Sequence, residues 1–422
     1  MKMTIMGLGV SGISAFHYLT EKGVEVNIID AKEEKFWPAE ILEKSTKTQR
    51  FVEGELKELS ATDLVILSPG IAREHRLLKK IDPSKIISEV ELALLHTQIP
   101  VIAITGTNGK TTTTTLMGMA LKKAGRKAFV GGNIGVPVVE ALRSKEAYDF
   151  LVLELSSFQL ESTPSLHPLV SVILNVSDNH GERYQKFSDY KKAKLNILNH
   201  QGMSDLAILA PELDAEKEGI QKVLLHEEEV EKTIGQFDFS KSNLLGKHNR
   251  ENLFVVYKTL LFLNIPEADR ILQELINEFK GVAYRLQFIG SGKGALFYND
   301  AKSTNTASTV TALKAVAELQ KPVTLILGGK LRQEKVDILN DLLPFQKEIA
   351  KIFLIGEASS LLEVELKKHF EIERAETLEN VFKNSLQEIV VFSPAFPSFD
   401  QFKNYEERGE LFSRLTLDYL KS

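Results

Sequence analysis

Short apolar runs alternate with helical patterns along most of the chain. The runs are three to seven residues long, as expected of buried strands, and most are followed by glycine or serine. This alternation predicts α/β domains built on mostly parallel sheets, with a hairpin pattern over Phe288–Tyr298. The predicted strands are Met3–Met6, Val24–Ile29, Asp63–Leu67, Val101–Ile104, Ala128–Val130, Phe150–Leu155, Val170–Val176, Asp205–Leu209, Lys222–Leu225, Val323–Leu327, Ile352–Ile355 and Ile389–Phe392.

A glycine loop joins the predicted strand Val101–Ile104 to the next helix. The loop is Thr105-Gly-Thr-Asn-Gly109, and Lys110 and Thr111 open the helix. In a P-loop, backbone N–H groups and the positive helix end face a phosphate, the lysine reaches the outer phosphates and a hydroxyl ligates Mg²⁺. The general pattern has glycine where Ile104 stands, so the alternative is an ordinary strand-to-helix turn with a solvated lysine. The register of loop, lysine and hydroxyl favours phosphate binding.

A second glycine pattern lies at the start of the chain. Gly7-Leu-Gly9-Val-Ser-Gly12 follows the first strand, and Asp30 ends the second strand. Glycines at this spacing, with an acid about 20 residues later, form a dinucleotide-binding fingerprint, in which the acid binds a ribose hydroxyl. The alternative is a glycine turn that serves only helix–sheet packing.

Polar residues follow two strands of the middle region. Glu154 ends one predicted strand, and His180 lies in the segment after another. Carboxyl ends of parallel strands meet at one edge, so both side chains can converge on the P-loop, where Mg²⁺ ligands are needed. Taken singly, each could be an ordinary strand-end acid or loop histidine. Asn249 and Asn252, one turn apart at a helix start, suit a purine edge, although helix capping explains one of them equally well.

Length and composition limit the class of protein. The 422 residues suit two or three domains, which we place at 1–93, 94–281 and 282–422. We expect a Rossmann-like first domain, a central P-loop domain with a parallel sheet and a C-terminal Rossmann-like α/β domain. The net charge of −5 gives no general affinity for nucleic acid, and the absence of cysteine excludes disulfides and thiolate chemistry. Nowhere do 18 apolar residues run together, so we expect a cytoplasmic protein without membrane insertion.

These motifs together resemble one family over nearly the whole chain, the Mur ligases, which form amide bonds with ATP in peptidoglycan synthesis. The loop from Thr105 to Thr112 resembles their shortened P-loop, which accounts for Ile104. The other matching motifs, in the family's order, are Glu154-Leu-Ser-Ser, His180, His248-Asn249-x-x-Asn252, Arg285 and Asp300-x-Lys302. Three stretches resemble the branch that adds D-glutamate: Leu153–Glu161, Tyr298–Asn305 and Ser393–Phe402.

The resemblance implies a ligase that uses ATP and two Mg²⁺ ions. The carboxylate of UDP-N-acetylmuramoyl-L-alanine attacks the γ-phosphate of ATP, and the amine of D-glutamate then attacks the acyl phosphate. The implied catalytic residues are Lys110, Glu154, His180 and Lys194. The family has a carbamylated lysine where Lys194 stands, although from its pattern alone the run of Lys191, Lys192 and Lys194 would be a solvated helix face.

The resemblance also implies which residues bind each substrate. We further expect a monomer whose binding partners are small molecules. The ATP-binding residues would be Gly106, Thr107, Asn108, Gly109, Lys110, Thr111, Thr112, Asn249, Asn252, Arg285, Asp300 and Lys302. The metal ligands would be Thr111, Glu154, His180 and carbamylated Lys194. The UDP-substrate residues would be Val10, Ser11, Asp30, Ala31, Lys32, Gly70 and Asn133. The amino-acid residues would be Thr304, Arg332, Ser398, Phe399 and Tyr405.

Several positions depart from the family pattern. Asn179 and Gly181 flank the histidine where Asp and Met are common, and Tyr284 replaces a usual histidine. Ala31-Lys32 stands where Thr-Arg is common. The loop from Gly328 lacks the final glycine of the family's amino-acid loop, so Lys330 or Lys335 could replace Arg332.

Three other functions are alternatives. The first is another amino-acid ligase of this family or of the folylpolyglutamate type. The second is an NAD-dependent oxidoreductase, which would use the fingerprint from Gly7 to Asp30 but leaves the P-loop unexplained. The third is a regulatory ATP-binding module without turnover, which the set of metal and phosphate residues disfavours.

Overall fold

The computed structural model describes residues 2–43, 49–59, 62–176, 184, 186–242, 244, 246–331 and 338–422. It contains three sheets, two wholly parallel and one with a single antiparallel strand. The predicted α/β fold class is therefore confirmed. None of the helices in these ranges is long and apolar enough to cross a membrane.

The first sheet has the strand order β3-β2-β1-β4-β5. Its strands are β1 (Lys2–Met6), β2 (Glu25–Asp30), β3 (Gln49–Val52), β4 (Leu64–Leu67) and β5 (Ile86–Ser88). Its helices are α1 (Val10–Glu21), α2 (Ala39–Glu43) and α3 (Glu89–Leu94). The strand order reverses between β1 and β4, so the loops after these strands border the crevice in which open parallel sheets bind ligands.

The second sheet has the order β11-β10-β9-β6-β8-β7. Its strands are β6 (Val101–Thr105), β7 (Ala128–Gly132), β8 (Phe150–Glu154), β9 (Val170–Ile173), β10 (Leu206–Leu209) and β11 (Gln221–Leu224). Its helices are α4 (Lys110–Lys123), α5 (Val139–Arg143), α6 (Ser157–Leu160), α7 (Phe187–Leu195) and α8 (Glu227–Ile234). Since β6 lies between β8 and β9, the segments after these three strands meet at one edge.

The first two sheets share one apolar cluster, in which α1 packs against α3 and α5. Polar contacts join the same helices. The backbone N–H of Val139 donates to Glu89 Oε1 at 2.6 Å, and Arg143 Nη2 lies 2.6 Å from Glu21 Oε1. The two sheets therefore belong to one packed body.

The third sheet has the order β12-β13-β17-β14-β15-β16, with only β12 antiparallel to its neighbour. Its strands are β12 (Gln287–Gly292), β13 (Ala295–Asn299), β14 (Val323–Gly328), β15 (Ile349–Ile355), β16 (Ile372–Glu376) and β17 (Glu388–Ala395). Its helices are α11 (Thr306–Ala317), α12 (Leu339–Leu342), α13 (Ser359–Leu366), α14 (Leu378–Val381) and α15 (Tyr405–Lys421). The loops after β13, β17 and β14 meet at one edge.

Two more helices, α9 (Lys247–Phe262) and α10 (Ala268–Glu278), connect the second sheet to the third along the chain. The chain divides into two compact units. One comprises Met1–Phe237 and Arg250–Leu272, and the other comprises Asp238–Asn249 and Gln273–Ser422. The three domain ranges expected from the sequence stay a prediction.

Candidate active site

The predicted P-loop joins β6 to α4. Gly109 precedes the helix with a φ of +83°, a left-handed conformation that glycine adopts at low cost. A Cβ at this position would also lie 3.0 Å from Asn252 Oδ1. The helix that follows has 14 residues, so its N-terminus presents unpaired N–H groups and a positive dipole end to an anion.

The side chain of Lys110 folds back over this loop. Its Nζ donates to the carbonyl oxygens of Gly106 at 2.9 Å and Thr107 at 3.0 Å. The ammonium group is therefore held within the loop rather than in bulk solvent. Thr107, Asn108 and Thr112, the other loop and helix-start residues predicted to bind ATP, lie partly or fully exposed beside it.

Thr111, Glu154 and Asn133 form a hydrogen-bonded chain. Thr111 Oγ1 donates to Glu154 Oε2 at 2.8 Å, and Asn133 Nδ2 donates to Glu154 Oε1 at 2.8 Å. Glu154 is buried at the end of β8, and Asn133 follows β7. A hydroxyl and a carboxylate next to a phosphate loop are the hard oxygen ligands that Mg²⁺ prefers, so these residues fit the ion that the sequence predicted.

Lys194 is the helix lysine that reaches the P-loop. It is 2% exposed, and its Nζ donates to Gly106 O at 2.9 Å and Thr105 Oγ1 at 3.3 Å. Burial and the charge of Lys110 together lower the pKa of Lys194 to about 7, against the opposite effect of Glu154. Lys191 instead pairs with Glu216 at 2.6 Å, and Lys192 is exposed. The burial of Lys194 corrects the solvated helix face that the lysine pattern alone suggested.

Asn175 holds the P-loop, and the sequence did not single it out. Its Oδ1 accepts the N–H groups of Thr107 at 3.1 Å and Asn108 at 2.9 Å, and its Nδ2 donates to Asn108 O at 3.2 Å. Its own carbonyl accepts the Thr107 N–H at 2.9 Å. The sequence signal that could have identified Asn175 is its position just after β9, the strand next to β6 in the sheet.

The two amides at the start of α9 lie in different settings. Asn252 is buried, and Thr113 Oγ1 donates to its Oδ1 at 2.9 Å, so it supports the first turn of α4. The backbone N–H of Asn249 donates to Gly246 O at 3.0 Å. His180, the predicted ligand of a second Mg²⁺, lies outside the described residues.

A cavity of about 380 Å³ opens between the loops after β1 and β4. Its lining includes the predicted UDP-substrate residues Val10, Ser11, Asp30, Ala31 and Gly70. Five of the seven residues predicted to bind this substrate therefore lie around one cavity. Of the other two, Asn133 contacts Glu154.

Asp30 is held by backbone groups at this cavity. Its Oδ2 accepts the Leu8 N–H at 2.6 Å, and its Oδ1 accepts the N–H of Lys32, the remaining UDP-substrate residue, at 2.8 Å. The carboxylate thus fixes the turn after β1 as well as facing the cavity.

In the third sheet, Arg285, Asp300, Lys302 and Tyr405 lie close together. Asp300 is buried, and Ser393 Oγ donates to its Oδ2 at 2.7 Å while the Leu286 N–H donates to its Oδ1 at 3.0 Å. Burial raises the pKa of Asp300 to about 6, and the charge of Arg285 opposes this. Lys302 Nζ lies 5.1 Å from the centre of the Tyr405 ring, a cation–π contact.

The predicted amino-acid residues surround the same edge of this sheet. Ser398 is buried after β17, Phe399 is 69% exposed, and Thr304 is half-buried before α11. Lys330, the alternative carboxylate ligand, pairs with Glu357 at 2.7 Å. Arg332 and Lys335, the other two candidates, lie outside the described residues.

Comparison with known proteins agrees with this arrangement. The family model of the Mur ligase middle domain matches residues 104–260, and that of the Mur ligase MurD-like N-terminal domain matches residues 1–87. The UDP-N-acetylmuramoylalanine–D-glutamate ligase of Geotalea daltonii is 34% identical, with 98% of this chain and 96% of that protein covered. The enzyme of the same name from Koribacter versatilis is also 34% identical over the same shares.

Solved structures share the fold at low identity. The UDP-N-acetylmuramate–alanine ligase MurC of Thermotoga maritima superposes with a TM-score of 0.58 at 18% identity and covers 99% of both chains. The MurF ligase of the same organism, in complex with ADP, has a TM-score of 0.58 at 15% identity and covers 94% of this chain and 95% of its own. From its motifs, its fold and its near full-length relatives, the chain belongs to the Mur ligase family, among the UDP-N-acetylmuramoylalanine–D-glutamate ligases.

Proposed function

We propose that this protein is the ATP-dependent ligase that joins D-glutamate to UDP-N-acetylmuramoyl-L-alanine, forming ADP and phosphate. The observation that carries the proposal is the chain of hydrogen bonds from Thr111 through Glu154 to Asn133 beside the P-loop, in a chain 34% identical to ligases of that name. The reaction belongs to the cytoplasmic stage of peptidoglycan precursor synthesis, and we propose that the enzyme acts as a monomer.

The first chemical step brings one anion to another. The carboxylate of the UDP substrate must attack the γ-phosphate of ATP, so the site has to neutralise negative charge where it develops. The N-terminus of α4 and Lys110 supply fixed positive charge at the phosphates. Lys110 would exchange its two carbonyl partners in the loop for phosphate oxygens.

Thr111 and Glu154 would hold Mg²⁺ at this loop. When bound, the ion would shield the phosphate oxygens and draw charge from the leaving group. Asn133 keeps one Glu154 oxygen oriented, so the other oxygen and the Thr111 hydroxyl remain directed to the loop. Support by a hydrogen-bonding neighbour of this kind is a common requirement of metal ligands.

Lys194 would act as a carbamate, with His180 as a further ligand for a second ion. Carbamylation needs a neutral amine, and burial beside Lys110 favours the neutral form of Lys194. As an ammonium group Lys194 would repel a cation, whereas as a carbamate it would offer an anionic oxygen. Its Nζ already lies 2.9 Å from the Gly106 carbonyl, within the P-loop.

The remaining predicted residues belong to three binding sites. The cavity beside β1 and β4 would bind the uridine and diphosphate of the substrate, through the residues that line it and through Lys32 and Asn133. Asn249, Asn252, Arg285, Asp300 and Lys302 would serve the nucleotide of ATP. Thr304, Arg332, Ser398, Phe399 and Tyr405 would bind D-glutamate. The domain ranges 1–93, 94–281 and 282–422 are part of this proposal.

The amine of D-glutamate then attacks the acyl phosphate, and phosphate leaves. The test is phosphate release from ATP with Mg²⁺ and UDP-N-acetylmuramoyl-L-alanine, adding D-glutamate, L-glutamate or L-alanine in turn. We expect turnover with D-glutamate alone. Turnover with another amino acid would show that the protein is a different ligase of the family. No turnover with any of the three amino acids would refute the proposed reaction.

A further inference from the structure

Arg408 is the largest fully buried side chain in the described part of the protein. It lies in the first turns of α15, is 1% exposed, and sits behind the loops at the carboxyl edge of the third sheet. A buried guanidinium normally has a carboxylate partner, because removing its charge from water is costly.

The hydrogen bonds of Arg408 leave its charge largely unpaired. Its Nη2 donates to two backbone carbonyls, Ala301 O and Phe396 O, both at 3.0 Å. Its Nε and Nη1 have no hydrogen-bond partner among the described residues. Burial lowers the pKa of Arg408 to about 10, with the charge of Asp400 acting in the opposite direction.

The two carbonyls belong to different loops. Ala301 lies between Asp300 and Lys302 after β13, and Phe396 precedes Ser398 after β17. One guanidinium nitrogen therefore ties together the turn proposed for ATP and the loop proposed for D-glutamate.

A third loop also contacts this group. Gly329, after β14, has a φ of +142°, and a Cβ there would lie 3.0 Å from Arg408 Nη1 and 2.3 Å from Pro397 O. The Lys330 N–H donates to Pro397 O at 2.8 Å, which closes the loop over the guanidinium. Arg408 thus contacts the loops after β13, β14 and β17, the three strands whose carboxyl ends meet.

We propose that Arg408 is a positioning residue for the acidic amino acid: it fixes these three loops and holds beneath them a buried positive charge that forms no ion pair among the described residues. This inference rests on the proposed function, in which D-glutamate brings two carboxylates to this edge. If Arg408 only filled space in the core, an apolar side chain of similar volume would do so equally well, without the free-energy cost of burying a charge. Buried, poorly paired groups of this kind are concentrated at functional sites.

The test compares Arg408→Met, Arg408→Lys and Arg414→Met. Methionine keeps much of the length and removes the charge, lysine keeps the charge but not the planar donors, and Arg414 is an exposed arginine on the same helix. We expect Arg408→Met to raise the KM for D-glutamate about tenfold or more, and to raise the KM for ATP by a smaller factor because the Ala301 carbonyl in the turn proposed for ATP also loses its donor. Arg408→Lys should recover part of that loss, and Arg414→Met should match the unmodified enzyme.

The outcomes separate this inference from the function on which it rests. If the unmodified enzyme does not turn over D-glutamate, the proposed function fails. If it does, but Arg408→Met leaves the KM for D-glutamate unchanged or raises both KM values equally, the role of Arg408 is refuted. A KM for D-glutamate as high in Arg408→Lys as in Arg408→Met would also refute this role. Should Arg408→Met not fold, Arg408→Lys decides the question. We expect that variant to raise the KM for D-glutamate by a larger factor than the KM for ATP, and equal factors would refute the role of Arg408.

Discussion

Replacing Asn175 by alanine removes three hydrogen bonds from the P-loop. Asn175 Oδ1 accepts the N–H groups of Thr107 and Asn108, and its Nδ2 donates to Asn108 O. The backbone bond from the Thr107 N–H to the Asn175 carbonyl is unaffected by the change. The variant should therefore fold normally while its phosphate loop is less well ordered.

The size of the effect follows from the exposure of these bonds. The bond from Thr107 is partly buried and contributes about 1 kcal/mol, whereas the two exposed bonds with Asn108 contribute about 0.5 kcal/mol each. The total is about 2 kcal/mol, which corresponds to a loss of about 30-fold in kcat/KM for ATP. The KM for D-glutamate should change little, because the substitution alters the loop proposed to bind phosphate and none of the residues proposed to bind D-glutamate.

Asn175→Asp makes the test sharper. Aspartate keeps an oxygen for both N–H groups but places a negative charge against a loop that must hold phosphates. We expect the aspartate variant to be less active than the alanine variant, with the exposed Asn199→Ala as a control that keeps full activity. Phosphate release at varied ATP measures all three. An aspartate variant more active than alanine, or an alanine variant with unchanged kcat/KM, would refute this role.

Four other residues give further predictions. Lys194→Ala should lose most activity and regain part of it with short carboxylic acids, whereas the exposed Lys192→Ala should keep its activity; absence of rescue would count against the carbamate. Glu154→Gln should raise the Mg²⁺ concentration for half-maximal activity by about tenfold or more, and an unchanged requirement would remove Glu154 from the metal site. Arg332→Ala should raise the KM for D-glutamate by about tenfold. If Lys330→Ala did so instead, the carboxylate ligand would be Lys330.

Most of the fold could be predicted because buried strands carry a continuous apolar signal. Three strands were missed: β3 (Gln49–Val52), β5 (Ile86–Ser88) and β16 (Ile372–Glu376). All three lie at the edges of their sheets, and β3 and β16 carry polar or charged residues where a central strand would be apolar. Edge strands tolerate such residues, so a search for apolar runs does not detect them.

The site could be predicted where chemistry follows a recognisable spacing, as in the P-loop and the fingerprint around Asp30. Asn175 and Arg408 gave no such signal, because their roles depend on contacts between segments far apart in the chain. Asn175 holds a loop 67 residues away, and Arg408 binds a carbonyl 107 residues away. A charged residue in a helix pattern is predicted to be exposed, so only the packing of α15 reveals that Arg408 is buried.

The central claim is that a carboxylate is activated as an acyl phosphate and then transferred to D-glutamate. The most direct measurement uses UDP-N-acetylmuramoyl-L-alanine labelled with ¹⁸O in its carboxylate, and determines the mass of the phosphate released. With ATP, Mg²⁺ and D-glutamate, each phosphate should carry one labelled oxygen, because the carboxylate oxygen that attacks ATP leaves with the phosphate. Unlabelled phosphate, or labelled phosphate released with L-glutamate but not with D-glutamate, would contradict the account.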